Sequence, residues 1–157
     1  MKEVKATRKN IKKFIKNLRK EDYEELKYFL KKKISKKFQK ELENLSDFYF
    51  LSDKIHPIAL GGVQQDKILK NIGKAWLLCT NKSSKNRIKL YKFIKEKILN
   101  YQKQYNIIYN FIFKSNFKAQ KWLEKFGFIF LNTQNPDFKL FYYSNGEQKI
   151  DIRNIAR

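Results

Sequence analysis

A mixed α/β fold is predicted for this 157-residue chain from three observations. Short apolar runs of strand length alternate with amphipathic segments of helical period. The second half reads strand, helix, strand, helix, strand, which demands parallel neighbours joined by crossovers. Elsewhere two strands follow one another across a short polar turn, which supplies antiparallel neighbours. The predicted order is strand, two or three helices, three strands, helix, strand, helix, two strands. A central mixed, twisted sheet with helices on both faces follows.

Residues 2–6 (KEVKA) read as a short strand, and Thr7 is placed to cap the segment after it. Ile11, Phe14, Ile15 and Leu18 share one helical face. Residues 19–22 break that face, and Tyr23, Leu26, Phe29 and Leu30 begin another. A third helical piece near residues 35–45 puts Phe38, Leu42 and Leu45 on one side. Residues 47–51 (DFYFL), a polar turn at 52–54 and residues 56–63 (HPIALGGV) form a hairpin. His56 precedes Pro57, which favours extended backbone and a structural or surface role for the imidazole.

Residues 74–80 (KAWLLCT) read as a strand with apolar residues on both faces, followed by a polar loop at 81–86. Ile88, Tyr91, Phe93 or Ile94, Ile98, Leu99 and Tyr101 then trace a long amphipathic helix. Residues 107–113 (IIYNFIF) form a buried strand. Residues 115–130 (SNFKAQKWLEKFGFIF) compress four signals into one segment. Asn116 can cap a helix, Ala119, Trp122, Leu123 and Phe126 give its apolar face, and Gly127 can take the left-handed conformation that ends it. Residues 128–131 then read as a short buried strand. Residues 138–143 (FKLFYY) make the last strand, Asn145-Gly146 marks a turn, and residues 149–157 are ambiguous.

Composition narrows the class. With 42% hydrophobic and 16% aromatic residues, the chain can bury a core as one domain spanning residues 1–157, and no internal repeat or Pro/Gly-rich joint argues for a second. No run approaches the roughly 18 apolar residues that a membrane span needs. The first ten residues lack the apolar stretch of a signal peptide. The single Cys79 excludes an internal disulfide framework and suits a reducing cytoplasm, and one His with one Cys argues against a zinc site.

The net charge of +21 points first to nucleic acid. Yet only five of the 36 basic residues are arginines, Arg8, Arg19, Arg87, Arg153 and Arg157. Base readout and bidentate phosphate recognition favour Arg over Lys. The accompanying wealth of Asn, Ile, Phe and Tyr is what A+T-rich codons produce. The charge is densest in residues 9–40, where solvated helix faces account for it. Non-specific attraction to polyanions at low salt is expected; a dedicated nucleic-acid site does not follow.

The spacing Asn116-x-x-Ala119, with Gly127-Phe128 eleven and twelve residues after the Asn, resembles the last motif of the GCN5-related N-acetyltransferases (GNAT). The order of elements coincides with the fold of that superfamily over nearly the whole chain. Within it, AWLLCT, the long helix ending in a tyrosine-bearing turn, and YNFIFKSNFKAQKWLEKFGF are most similar to a phage-encoded branch. That branch includes small internal virion or assembly proteins of short-tailed phages. The resemblance implies acetyl-CoA, or another acyl-CoA, lying where the fourth strand (75–80) and the fifth (107–113) splay apart. In the family the edge of the fourth strand pairs with the pantetheine amides, a form of strand addition. The pyrophosphate meets backbone amides in the following loop and at the next helix start. Carried onto this sequence, the cofactor residues are Leu78, Cys79, Thr80, Lys82, Ser83, Ser84, Lys85, Arg87 and Asn116.

Two departures matter. The loop at 81–87 (NKSSKNR) lacks the closely spaced glycines of the family, so close backbone approach to a pyrophosphate is harder. Lys82, Lys85 and Arg87 can attract phosphates there, with Ser83 and Ser84 as donors; the same residues also read as a capped, solvated helix start. The family often has a proton-donating Tyr seven residues after the Asn, where this chain has Leu123. Trp122 and Leu123 read better as core. No catalytic residue is fixed by sequence, and the candidates are Tyr109, on the fifth strand, and Asn116, whose cap role explains it equally well. Asp53 and Asp66 have no distinguishing spacing, and Cys79 suits a small core position.

Three functions remain open at this point. The first is acetyl transfer from acetyl-CoA to a primary amine of a small molecule or protein. The second is a catalytically impaired relative with a structural, assembly or interaction role, with phage structural proteins as partners, in the host cytoplasm or the phage particle. The third is a basic nucleic-acid-binding protein.

Overall fold

A computed structural model describes residues 1–31, 34–43, 47–53, 55–66 and 69–146. The elements are β1 (Lys2–Glu3), α1 (Arg8–Lys16), α2 (Lys20–Leu30), α3 (Ile34–Glu43), β2 (Asp47–Ser52), β3 (Pro57–Gln65) and β4 (Ile72–Cys79). A 3-10 helix (Asn81–Asn86) leads into α4 (Arg87–Gln104), followed by β5 (Ile107–Phe113), α5 (Phe117–Lys125), β6 (Ile129–Asn132) and β7 (Phe138–Ser144). The hydrogen-bonded strand order is β1-β2-β3-β4-β5-β7-β6. β4 and β5 are parallel, whereas β1–β2, β2–β3, β5–β7 and β6–β7 are antiparallel. The predicted mixed α/β class is what the chain adopts.

The residues group into two compact units, Met1–Gln64 with Trp76–Ile94, and Gln65–Ala75 with Lys95–Arg157. β4 therefore contributes its first half to the second unit and its second half to the first.

In the first unit, three helices cover the β2–β3 hairpin. Ile11 and Phe14 of α1, Leu26 of α2, Phe38 of α3, Phe50 of β2 and Leu60 of β3 are all buried in one cluster. Each such side chain contributes about 1.5–3 kcal/mol by leaving water. Phe14 meets Phe50 edge-on at 5.4 Å, and Phe50 pairs with Leu60 in the hairpin register. Thr7 caps α1 as predicted, its hydroxyl oxygen accepting from the Asn10 amide at 3.3 Å. Gly61 permits a close approach: a Cβ there would fall on the Tyr49 hydroxyl and lie 2.8 Å from the Trp76 carbonyl oxygen. The predicted break at residues 19–22 is displaced. The chain leaves α1 at Asn17, and α2 already includes Lys20, Glu21 and a buried Asp22.

In the second unit, Ile107, Ile108 and Ile112 of β5 and Leu140 of β7 are buried. Phe113 stacks on Phe138 at 4.3 Å. Asn116 caps α5, its side chain accepting from the Ala119 amide at 3.4 Å, and Gly127 takes φ 83° just past the helix end. Three expectations need correction here. The β5–α5–β6 crossover does not deliver neighbouring strands, because β7 inserts between β5 and β6. β6 is an edge strand with Ile129 54% exposed; only Phe128, just before it, is buried. Trp122 and Leu123 are half-buried rather than core, because α5 turns Gln120 inward instead. The Gln120 amide donates to the Phe113 and Lys114 carbonyls at 3.0 and 2.8 Å, and its oxygen accepts from Lys139 Nζ at 3.3 Å. Leu45 and residues 149–157 lie outside the described residues.

Candidate functional site

Successive residues of a strand direct their backbone groups to opposite edges. Along β4 the even positions serve β3: the Thr80 amide, just past the strand, donates to the Ile58 carbonyl at 2.9 Å. The odd positions, Gly73, Ala75, Leu77 and Cys79, serve the other edge. Within the second unit, the register with β5 covers Ile72, Gly73 and Lys74. At Ala75 a side chain replaces the ladder, since Asn110 Nδ2 donates to the Ala75 carbonyl at 2.6 Å. The Asn110 oxygen accepts from the Phe111 amide at 2.8 Å.

Within the first unit, the odd edge is occupied by the chain itself. The link from α1 to α2 runs antiparallel to the end of β4, with Leu18 bridged to Thr80. The Arg19 amide donates to the Cys79 carbonyl at 3.0 Å, and the Asn81 amide donates to the Asn17 carbonyl at 3.0 Å. The Cys79 amide donates to Asp22 Oδ2 at 2.9 Å. Arg19 holds the same carboxylate in a fork, Nε to Oδ2 at 2.7 Å and an Nη to Oδ1 at 2.9 Å. The Asp22 side chain is 2% exposed and that of Arg19 20%. Burial alone would lower the Arg19 pKa, but the hydrogen bond and charge of Asp22 outweigh it, so the guanidinium stays firmly charged. Burial, aided by the Asp22 charge, pushes the Cys79 thiol up to about 12. It is neither a nucleophile nor a proton carrier near neutral pH.

The remaining sequence-predicted positions are distinct in kind. Leu78 is part of the apolar cluster. Thr80 is fully buried, and its hydroxyl donates to the Pro57 carbonyl at 2.7 Å. Lys82 and Ser83 are half-buried, whereas Ser84, Lys85 and Arg87 are exposed. The Ser83 amide donates to the Thr80 carbonyl, and Ser84 Oγ to the Asn81 carbonyl at 3.2 Å. The 3-10 helix runs directly into α4, so Lys82, Lys85 and Arg87 add charge where a helix start already favours anions. These seven residues and Cys79 all lie on one continuous segment of the first unit.

Tyr109 and Asn116 belong to the second unit. Tyr109 is half-buried, and burial with the Asp66 charge raises its phenol above the ordinary range. Asn116 is 2% exposed and serves as the α5 cap. Asp53 organises a turn: its carboxylate accepts from the His56 and Ile55 amides at 2.6 and 2.9 Å, which hold its pKa down. Arg19, Asp22, Asn81 and Asn110 were not singled out by sequence. An Arg and an Asp three apart at a helix start are the one local signal that could have found the first two.

No protein-family model matches the sequence, and no curated protein matches it. Solved structures do. The smu.2055 protein of Streptococcus mutans UA159 is 12% identical with a TM-score of 0.65, over 92% of this chain and 99% of that one. A GNAT-family acetyltransferase of Streptococcus pneumoniae is 15% identical with a TM-score of 0.56, over 72% of this chain and 75% of its own. A Bacillus subtilis acetyltransferase in complex with CoA is 10% identical with a TM-score of 0.62, over 91% and 96%. The fold is that of the GNAT acetyltransferases.

Proposed function

We propose that the protein is an acyl-CoA-binding acyltransferase that acts on amines. One observation carries this reading. β4 continues for five residues beyond its register with β5, then delivers the chain directly to a cation-bearing helix start. A strand edge can receive pantetheine amides by strand addition, and a helix start can receive a pyrophosphate. The solved Bacillus subtilis acetyltransferase with CoA supports the choice of ligand. The fit is incomplete: the loop matches the anion through Lys82, Lys85 and Arg87, but the backbone of Cys79 is already satisfied by Arg19 and Asp22. Acetyl-CoA and a primary amine of a small molecule or protein are the proposed substrates.

Isothermal titration with acetyl-CoA, followed by a radiolabelled acetyl-transfer assay on a panel of amines, tests the reading. Heat at millimolar cofactor and label transfer are expected. No binding, either by the wild-type chain or by the Asp22→Asn variant, overturns it.

A second reading is a GNAT-fold protein without turnover that serves in assembly or interaction. The filled edge at Cys79 favours it, as does Leu123 at the position where the family often has a proton donor. Binding of CoA without transfer to any amine is its expected signature.

A further inference from the structure

We infer that residues 17–22 are a built-in occupant of the β4 edge, and that acyl-CoA enters only when this segment withdraws. The inference rests on the acyl-CoA reading above and deepens it.

Strand addition needs an edge with free N–H and C=O groups at alternate residues. At the end of β4 those groups are Cys79 N–H, Cys79 C=O and Asn81 N–H. Each already has a partner on the segment from Asn17 to Asp22. Two of these partners are backbone groups in antiparallel register around the Leu18–Thr80 bridge, so the segment is in effect a short added strand. The third is a carboxylate, which imitates a strand carbonyl and binds the Cys79 amide more tightly because it is charged. Arg19 neutralises that carboxylate within the same segment, which is how an ionised group persists at this depth. The closure is therefore self-contained. It needs no residue beyond the turn that joins α1 to α2 and the first turn of α2, apart from the strand end it covers.

A ligand that pairs with Cys79 and one that leaves residues 17–22 in place exclude each other, since both require the same amide and the same carbonyl. Affinity is then scaled by the fraction of molecules in which the segment has withdrawn. Asp22→Asn keeps the shape of the side chain and removes the charge that ties it to Arg19 and to the Cys79 amide. With the closed state weakened, acetyl-CoA is expected to bind at least about tenfold more tightly to this variant than to wild type. Hydrogen exchange on the wild-type chain gives a second readout that no folding defect can confuse. The amides of the peptide spanning residues 17–23 are expected to lose protection when CoA is added.

Tighter binding by Asp22→Asn together with CoA-induced exchange at 17–23 supports the inference. Equal affinity of the two proteins, or CoA binding with residues 17–23 still protected, overturns it while leaving the acyl-CoA reading intact. If neither protein binds CoA, the acyl-CoA reading falls and the gating role falls with it.

Discussion

Gln120 is the residue on which the seating of α5 turns, and its chemistry makes a prediction with an unambiguous sign. It is 6% exposed, donates twice to backbone carbonyls on the β5–α5 connection and accepts once from Lys139. The two neutral bonds contribute about 0.5–1.5 kcal/mol each, and the charge-assisted one somewhat more. Lys139 is only half-buried and can recover water, which discounts the third. Replacement by Leu is therefore expected to cost about 2–3 kcal/mol, most of it from stranding the Lys114 carbonyl, since the Phe113 carbonyl keeps the Asn116 amide as a donor. For a chain of this size that lowers Tm by about 5–10 °C. Gln120→Glu separates the causes. Its carboxylate offers Lys139 a stronger partner but has no hydrogen to give either carbonyl. If the two donor bonds hold the helix, Glu is at least as damaging as Leu at neutral pH and partly recovers as the carboxyl protonates in acid. Differential scanning calorimetry on both variants across pH reads this out. A Glu variant as stable as wild type would show that the Lys139 contact, not the donor pair, seats α5.

Other perturbations have equally definite outcomes. Gly61→Ala forces a methyl group onto the Tyr49 side chain and the Trp76 carbonyl; a loss of about 3 kcal/mol or more is expected in urea titrations. A cost below about 1 kcal/mol would mean the hairpin yields freely there. The Cys79 thiol, pushed up to about 12, should resist thiol reagents in the folded protein at mildly alkaline pH and react fully in urea. Its folded pKa exceeds that of the unfolded chain, so the associated stability is complete below about 8.5 and declines as pH rises above it. Prompt labelling without denaturant would contradict the burial. The Asp53 carboxyl should titrate below the ordinary range by NMR, with the turn's stability present above the unfolded carboxylate pKa and lost as pH falls. An ordinary midpoint would remove the His56 and Ile55 amides as its partners.

Much of the architecture was legible because it follows from periodicity and caps. Thr7, Asn116 and Gly127 each act as their chemistry predicts, since capping and left-handed turns depend only on adjacent residues. The parallel β4–β5 pair followed from an intervening helix. The insertion of β7 between β5 and β6 did not, because strand order depends on which edge a later strand finds. Gln120 was illegible for a related reason. A polar residue on the inward side of a helix is allowed only by carbonyls that a neighbouring turn happens to present, and no local pattern announces them. In the candidate site, the basic loop could be read as an anion-attracting helix start. Asp22 could not be read as a strand partner, because the amide it accepts from lies 57 residues away.

The odd edge of β4 assigns a different fate to each position it reaches. Ala75 gives its carbonyl to the Asn110 side chain, which ends the ladder with β5 without leaving a polar group stranded. Cys79 gives both of its groups to Arg19 and Asp22. Leu77, between them, lies outside the register with β5 and outside the added strand of residues 17–22. On the acyl-CoA reading proposed above, residues 17–22 therefore compete with the ligand at Cys79. On that reading, the loop cations and the helix start are retained while the Cys79 position of the edge is held by the chain itself. Under the proposed gating, binding of an acyl donor turns on the withdrawal of residues 17–22, which the buried Arg19–Asp22 pair opposes.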